Sequence, residues 1–327
     1  MKNVTKKLKK NKKSALIFGI SGQDGAYLAH FLLEKGYKVI GTTREKSKKN
    51  LLRLSKLGIF KKVNVYKGEA TNNSFCKKII SSNINEIYYL AGDSSVVRSF
   101  DSPQKSLQSN TIGILNILEY IKKKKIKTKV FNSGSGQFYG DNKKNKYNLE
   151  SKIEPQSPYG VSKAAGYWLT KIYREKYNLF SCTGVLFNHE STLRSKEFVT
   201  KKIVDTAKKI KKNNNIKLRL GNINIYRDWG WAPEYVEAFW LMLQNKKAED
   251  LIIGSGTVHS LKEFVNEVFK LLNINKKNLV TNVKKFRRKL DIRGYKADIA
   301  LTQKKINWKP KTSFKKIIYK MVNDELY

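Results

Sequence analysis

The stretch Ala15-Leu-Ile-Phe-Gly19-Ile-Ser-Gly22-Gln-Asp-Gly25 decides how the rest of the chain is read. Its first half is a short uncharged apolar run, which predicts a buried strand, and residues 26–35 have helical spacing that stops at Gly36. Gly19, Gly22 and Gly25 therefore fall where a strand ends and a helix begins, with Gln23 and Asp24 between them. Glycines there let the chain turn tightly and let backbone N–H groups meet a pyrophosphate at the helix N-terminus. The same spacing also occurs in plain Gly-rich turns, and the flanking strand and helix favour the nucleotide reading.

Working outward, short apolar runs at 37–42, 63–66, 86–91, 128–133 and 181–186 alternate with amphipathic runs near 73–81, 103–122 and 157–177. This order predicts an α/β fold, a Rossmann-type doubly wound parallel sheet with crossover helices. After Phe187 the pattern changes to helices near 197–212, 232–244, 261–272 and 314–324, with short strands around 217–220 and 251–253. The expectation is a basic disordered tail at 1–13, a dinucleotide-binding domain at 14–187, and a smaller C-terminal α/β lobe, mainly for substrate, at 188–327. Binding is expected at the seam, outside the carboxyl ends of the strands.

Composition excludes several classes. Of 327 residues, 40% are hydrophobic and 11% aromatic, too many for a disordered chain. The two cysteines, Cys76 and Cys182, lack CxxC spacing, so neither a disulfide framework nor a metal site is expected. No apolar run approaches the ~18 residues of a membrane span, and Met1-Lys-Asn-Val-Thr-Lys-Lys-Leu lacks a secretion signal's apolar stretch. The expected setting is the cytoplasm, without membrane contact. The net charge of +41 raises nucleic acid as a partner, but only ten of the 67 basic residues are Arg. Direct base readout leans on Arg, so scattered Lys clusters predict a solvated surface with weak, salt-sensitive attraction for polyanions, and no specific nucleic-acid binding.

The strand at 37–42 leads into Gly41-Thr-Thr-Arg44, with no acidic residue to accept the ribose hydroxyls of NAD. Arg44 can pair with a 2′-phosphate, which favours NADP over NAD, or it is a solvated loop charge. Glu69-Ala70 and Leu90, at the ends of the next strands, are expected along the same cofactor. Tyr159-Gly-Val-Ser-Lys163 opens a helix, and its i,i+4 spacing sets phenol and ammonium on one face. An ammonium beside a phenol favours phenolate, so Tyr159 is a candidate base toward a sugar hydroxyl, with Ser135 hydrogen-bonded to the same group.

Taken together, Gly22-Gln-Asp-Gly25-Ala-Tyr-Leu, Ser157-Pro-Tyr159-Gly-Val-Ser-Lys163, Leu186-Phe-Asn188-His-Glu-Ser191, Phe198-Val-Thr-Lys-Lys202-Ile and Arg227-Asp-Trp-Gly-Trp-Ala232 resemble the GDP-mannose 4,6-dehydratases, a branch of the extended short-chain dehydrogenase/reductases. The resemblance runs from about Ser14 to the end of the chain. It implies bound NADP, a GDP-mannose or related GDP-sugar substrate, and a homodimer or homotetramer built on the helices near 103–122 and 157–177. It also implies that Ser94, Asn188, Val199, Lys202, Arg227 and Arg287 approach the nucleotide sugar, with Arg194 on its diphosphate. His189 and Glu190 read first as a hydrogen-bonded structural turn.

The resemblance breaks at two positions. The family's base for the C5 proton is a Glu two residues after the hydroxyl residue that Ser135 matches, and here that residue is Gln137. A neutral amide cannot take a proton as a carboxylate does, which leaves C4 reduction, epimerisation or dehydrogenation of a GDP-sugar as the alternative activity, and a non-catalytic nucleotide-sugar-binding protein as a second one. Asp93 stands where the family usually carries an uncharged residue such as Gln, and is either a substitute carboxylate or a capping residue of its loop.

Overall fold

The computed structural model describes residues 12–141, 146–283, 294 and 296–327. Seven strands form the main sheet: β1 (Ser14–Phe18), β2 (Lys38–Thr43), β3 (Asn64–Lys67), β4 (Glu86–Tyr89), β5 (Lys129–Ser133), β6 (Ser181–Leu186) and β7 (Leu251–Ile253). Their spatial order is β7-β6-β5-β4-β1-β2-β3, and every pairing is parallel. Such a sheet is covered on both faces, which is why β1, β4, β6 and β7 are buried at every position. Alternate residues of β1 serve different cores. Ala15 and Ile17 pack with the Gln23–Glu34 and Ala232–Gln244 helices, while Leu16 and Phe18 pack with Ile114, Ile117, Leu118 and Ile121 of the Gly113–Lys124 helix. Each such aliphatic side chain contributes roughly 1.5–3 kcal/mol when fully buried.

The expected doubly wound sheet is present, with one reassignment. Residues 251–253 were expected among the strands that follow Phe187, yet β7 is the edge of the main sheet beside β6. The Ala232–Gln244 helix returns with it, stacking Phe239 on Phe131 at 4.6 Å between ring centroids. Three apolar residues cannot report which of two cores they will join. The single helix expected over 103–122 is also divided. Pro103–Leu107 and Gly113–Lys124 are separated by a wide π turn, Gln108–Ile112, in which the Asn110 amide donates to the Asp93 and Ser106 carbonyls.

The remaining chain builds a second core from Ile203, Val204, Leu218, Trp229, Trp231, Phe264 and Ile317, with the Val199–Lys212, Leu261–Leu272 and Phe314–Val322 helices around it. Two short ladders lie beside it, the first of which joins it to the segment that continues from β6. Asn188–Glu190 runs parallel to Trp229–Trp231, and Tyr226–Arg227 pairs antiparallel with His259–Ser260. Among the described residues, no helix is long and apolar enough to cross a membrane, and no group of three or more His, Cys, Asp or Glu is placed to hold a metal ion. Cys76 and Cys182 are both buried, and burial pushes the Cys76 thiol up to about 12.

Candidate active site

The order of the sheet reverses between β1 and β4, and two cavities of about 670 Å³ each open at the carboxyl ends there. Both are lined by Gly19, Gly22, Leu90, Ala91 and Gly92, so they meet across the glycine turn. Gly19 adopts φ +88°, and a Cβ on it would lie 2.9 Å from the Ala91 nitrogen; a Cβ on Gly25 would lie 2.3 Å from the Gly19 oxygen. The turn thus needs glycine both for its backbone and for its closeness to β4. Gly22 caps the Gln23–Glu34 helix without a side-chain hydrogen bond, leaving its first N–H groups facing the cavity, as an anion site requires. This cradle suits a dinucleotide's pyrophosphate.

One cavity is lined by Thr42, Thr43, Arg44, Glu69, Ala70 and Leu90, all but the threonines expected from sequence along the cofactor. Arg44 lies 3.9 Å from Glu69 and is well exposed, a pairing too open to be strong. The other cavity holds Ser94, Ser135, Gln137, Tyr159, Lys163, Asn188, Arg194, Val199 and Arg227. Of the other expected contacts, Lys202 lies further along the Val199–Lys212 helix and donates to the Arg219 carbonyl at 2.8 Å, and Arg287 falls outside the described residues.

Ser135, Tyr159 and Lys163 come together where β5 ends and a 20-residue helix, Pro158–Tyr177, begins. Ser157 caps that helix by accepting the Gly160 N–H at 3.1 Å, and Pro158 follows in its first turn. Gly166 lets the helix approach the wide turn, since a Cβ there would lie 2.8 Å from the Asn110 oxygen. Tyr159 and Lys163 are thereby buried against β5. The Lys163 ammonium donates to the Ser133 carbonyl at 2.7 Å and hydroxyl at 3.3 Å, and burial pulls its pKa down to about 8, with Asp24 acting in the opposite sense. Ser135 accepts the Gln137 N–H at 3.3 Å, which turns the Gly136–Tyr139 segment back so that Gln137 lines the same cavity.

Gln23 and Asp24 have side chains committed elsewhere than to a ligand. Gln23 accepts from the Ser191 hydroxyl at 2.8 Å, and Asp24 meets His189 at 3.0 Å. His189 and Glu190 accordingly have the hydrogen-bonded structural place that the sequence suggests for them. His189 also faces the Phe187 carbonyl, while Glu190 accepts from Thr200 at 2.6 Å and lies 3.2 Å from Arg194. Asp93 lies in the cavity wall with both carboxylate oxygens on Arg98 and one on the Ser95 N–H. Burial raises its pKa, but these hydrogen bonds outweigh burial and hold the carboxyl below the usual range.

Sequence reading missed Arg53, which donates to the Leu193 and Ser21 carbonyls at 2.8 and 3.0 Å beside the glycine turn, and Arg98 and Glu197 in the cavity wall. It also missed Asp228, a buried carboxylate that accepts the Ser255, Gly256 and Ala297 N–H groups and so ties the strand carrying Arg227 to the end of β7. Only Asp228 had a local signal, a charge inside a Trp-rich run.

A doubly wound sheet with a glycine turn and a Tyr-x-x-x-Lys helix at its switch point defines an extended short-chain dehydrogenase/reductase. The chain belongs to the GDP-mannose 4,6 dehydratase family, whose profile matches residues 16–321. It is 36% identical to "GDP-mannose 4,6 dehydratase 1" of Arabidopsis thaliana, covering 97% of this chain and 91% of the relative. It is 35% identical to GDP-mannose 4,6 dehydratase of Homo sapiens, covering 95% and 91%. Among solved structures, dTDP-glucose 4,6-dehydratase of Bacillus anthracis in complex with NAD superposes with a TM-score of 0.81 at 23% identity, covering 95% and 96% of the two chains.

Proposed function

We propose that the chain is an NADP-dependent enzyme of the cytoplasm that acts on GDP-mannose or a close GDP-hexose: C4 is oxidised by loss of hydride, water is eliminated across C5 and C6, and the hydride returns to C6 with a proton to C5, giving a 4-keto-6-deoxy sugar with no net redox change. The observation that carries this reading is the convergence of Ser135, Tyr159 and Lys163 with Asn188, Arg194, Val199 and Arg227 in one cavity that meets the glycine turn. The relatives' names point to the same substrate.

Gly19–Gly25, Arg44, Glu69, Ala70 and Leu90 would hold the dinucleotide, which would supply a hydride acceptor and donor beside the sugar. Tyr159 takes the proton of the C4 hydroxyl, Ser135 holds that hydroxyl in line, and the Lys163 ammonium favours the phenolate. Arg194 and Arg227 offer planar donors to diphosphate oxygens, and Asn188 offers an amide to the nucleotide. Arg44, in the lining of the neighbouring cavity, supports the NADP reading, because a guanidinium there can pair with a 2′-phosphate.

Gln137 favours a second reading, hydride chemistry at C4 without loss of water, because no carboxylate stands at that position to take the C5 proton. Mass spectrometry of GDP-mannose incubated with the protein and NADP⁺, beside Gln137→Glu, separates the two. Loss of water by the natural protein supports the dehydratase. Loss by the variant alone supports C4 chemistry on another substrate, and loss by neither points to a different sugar or to a binding role.

The assembly belongs to the same proposal. Val161, Trp168 and Ile172 are exposed along one face of the Pro158–Tyr177 helix, next to exposed Leu107 and Ile112, an apolar face suited to a homodimer or homotetramer. Light scattering at moderate salt tests it.

A further inference from the structure

Asp93, Arg98 and Glu197 lie along one stretch of the cavity wall. Arg98, on the short Val96–Asp101 helix after β4, donates Nε and Nη2 to the two carboxylate oxygens of Asp93 at 3.3 and 2.8 Å. Its Nη1 reaches across to Glu197, which precedes Phe198 and the Val199–Lys212 helix of the substrate lobe. One guanidinium thus spans the two walls of the cleft.

The two halves of this bridge differ in kind. The Asp93 side chain is 13% exposed. Its carboxylate also accepts the Ser95 N–H at 3.1 Å, while its main chain is held by the Ser109 hydroxyl and the Asn110 amide. Glu197 is 58% exposed and returns to water at little cost. An exposed pair is weak and screened by salt, whereas a two-point Arg–carboxylate pair with a fixed anchor keeps its geometry. The guanidinium fork can therefore keep one edge on Asp93 and trade the partner on the other.

We propose that Arg98 binds the diphosphate of the nucleotide sugar, with Asp93 as its fixed anchor and Glu197 as an exchangeable partner displaced when an anionic phosphate oxygen takes the Nη1 edge. This rests on the reading of the cleft as a nucleotide-sugar site. A diphosphate concentrates more charge than a lone carboxylate, so the exchange favours the ligand. Asp93 then acts as a positioning residue, with both oxygens engaged, and not as the C5 base.

The test is calorimetric titration of the wild type, Arg98→Met and Glu197→Gln with GDP and with guanosine, with NADPH binding as the check on folding. Arg98→Met is expected to weaken GDP roughly tenfold or more and to leave guanosine unchanged. Glu197→Gln is expected to bind GDP at least as tightly as the wild type. Asp93→Asn is expected to raise KM for the nucleotide sugar more than it lowers kcat. Wild-type GDP affinity in Arg98→Met, or equal weakening of GDP and guanosine, overturns the proposal. Wild-type protein that binds UDP in place of GDP overturns the purine assignment alone, and the Arg98 effect is then read on UDP; binding of neither overturns both.

Discussion

Asp24 of the glycine turn and His189 of the Asn188–Glu190 strand are 165 residues apart and meet at 3.0 Å, Oδ2 to Nε2. The other ring nitrogen faces the Phe187 carbonyl at 2.8 Å, so both positions accept a proton from imidazolium. Burial disfavours both charges, but the pairing outweighs it. The Asp24 carboxyl is held at about 2 and the His189 imidazole above its usual value. The glycine turn is thus fastened to the segment that carries Asn188 and Arg194.

Asp24→Asn is therefore expected to cost about 2 kcal/mol of stability near pH 6. A carboxyl whose folded pKa lies below its unfolded value stabilises above the unfolded value, 3.8, and loses that contribution as pH falls toward about 2. His189 behaves in the opposite sense, stabilising below 6.5 and losing the effect as pH rises through its folded pKa. Denaturant unfolding of both proteins from pH 2 to 6 should show the deficit shrink with acid; a deficit independent of pH would refute the ion pair.

Lys163, with its pKa near 8, is charged at neutral pH and loses its charge above it. Hydride transfer should decline above about pH 8, and Lys163→Met should lower the rate by about 10² or more without that alkaline limb. Tyr159→Phe should be at least as damaging. Stopped-flow absorbance of the reduced cofactor measures all three.

Arg44→Ala should raise the Kd of NADPH by about tenfold and leave that of NADH within about twofold, as the loss of a contact to the 2′-phosphate would. Fluorescence titration with the two reduced cofactors decides it. Equal losses for both would place Arg44 at a shared part of the dinucleotide.

Gly25→Ala places a methyl group 2.3 Å from the Gly19 oxygen, a backbone atom that cannot yield without opening the turn. Cofactor binding should be lost before the fold is, because the sheet and its two cores lie below the turn. Circular dichroism beside NADPH titration distinguishes that order from general unfolding.

How much of this was legible depended on the range of the interaction. β1, the glycine turn and the Tyr159 to Lys163 spacing are local patterns, and the chain carries them on consecutive residues. Strands covered on both faces announce themselves as apolar runs, and the partly exposed β2 and β3 keep enough apolar residues to be read with them, so six of the seven are visible in order. β7 was visible as a run and assigned to the wrong core, since three buried residues look alike in either. Arg98 and Glu197, Asp24 and His189, and Asp228 with Ser255 and Ala297 are joined only by folding, and no spacing relates them.

By itself, then, the sequence determined the fold class, the place of the glycine turn and the spacing of Tyr159 and Lys163 on one helix, because helix and strand periods and glycine conformations are set within a few residues. Only the tertiary structure decided which charges pair. It gave Gln23 and Asp24 to Ser191 and His189, gave Asp93 to Arg98, and brought Arg98 across the cleft to Glu197. The physical reason is that a charged group's role depends on the partner and burial it finds, and those come from segments the sequence keeps far apart.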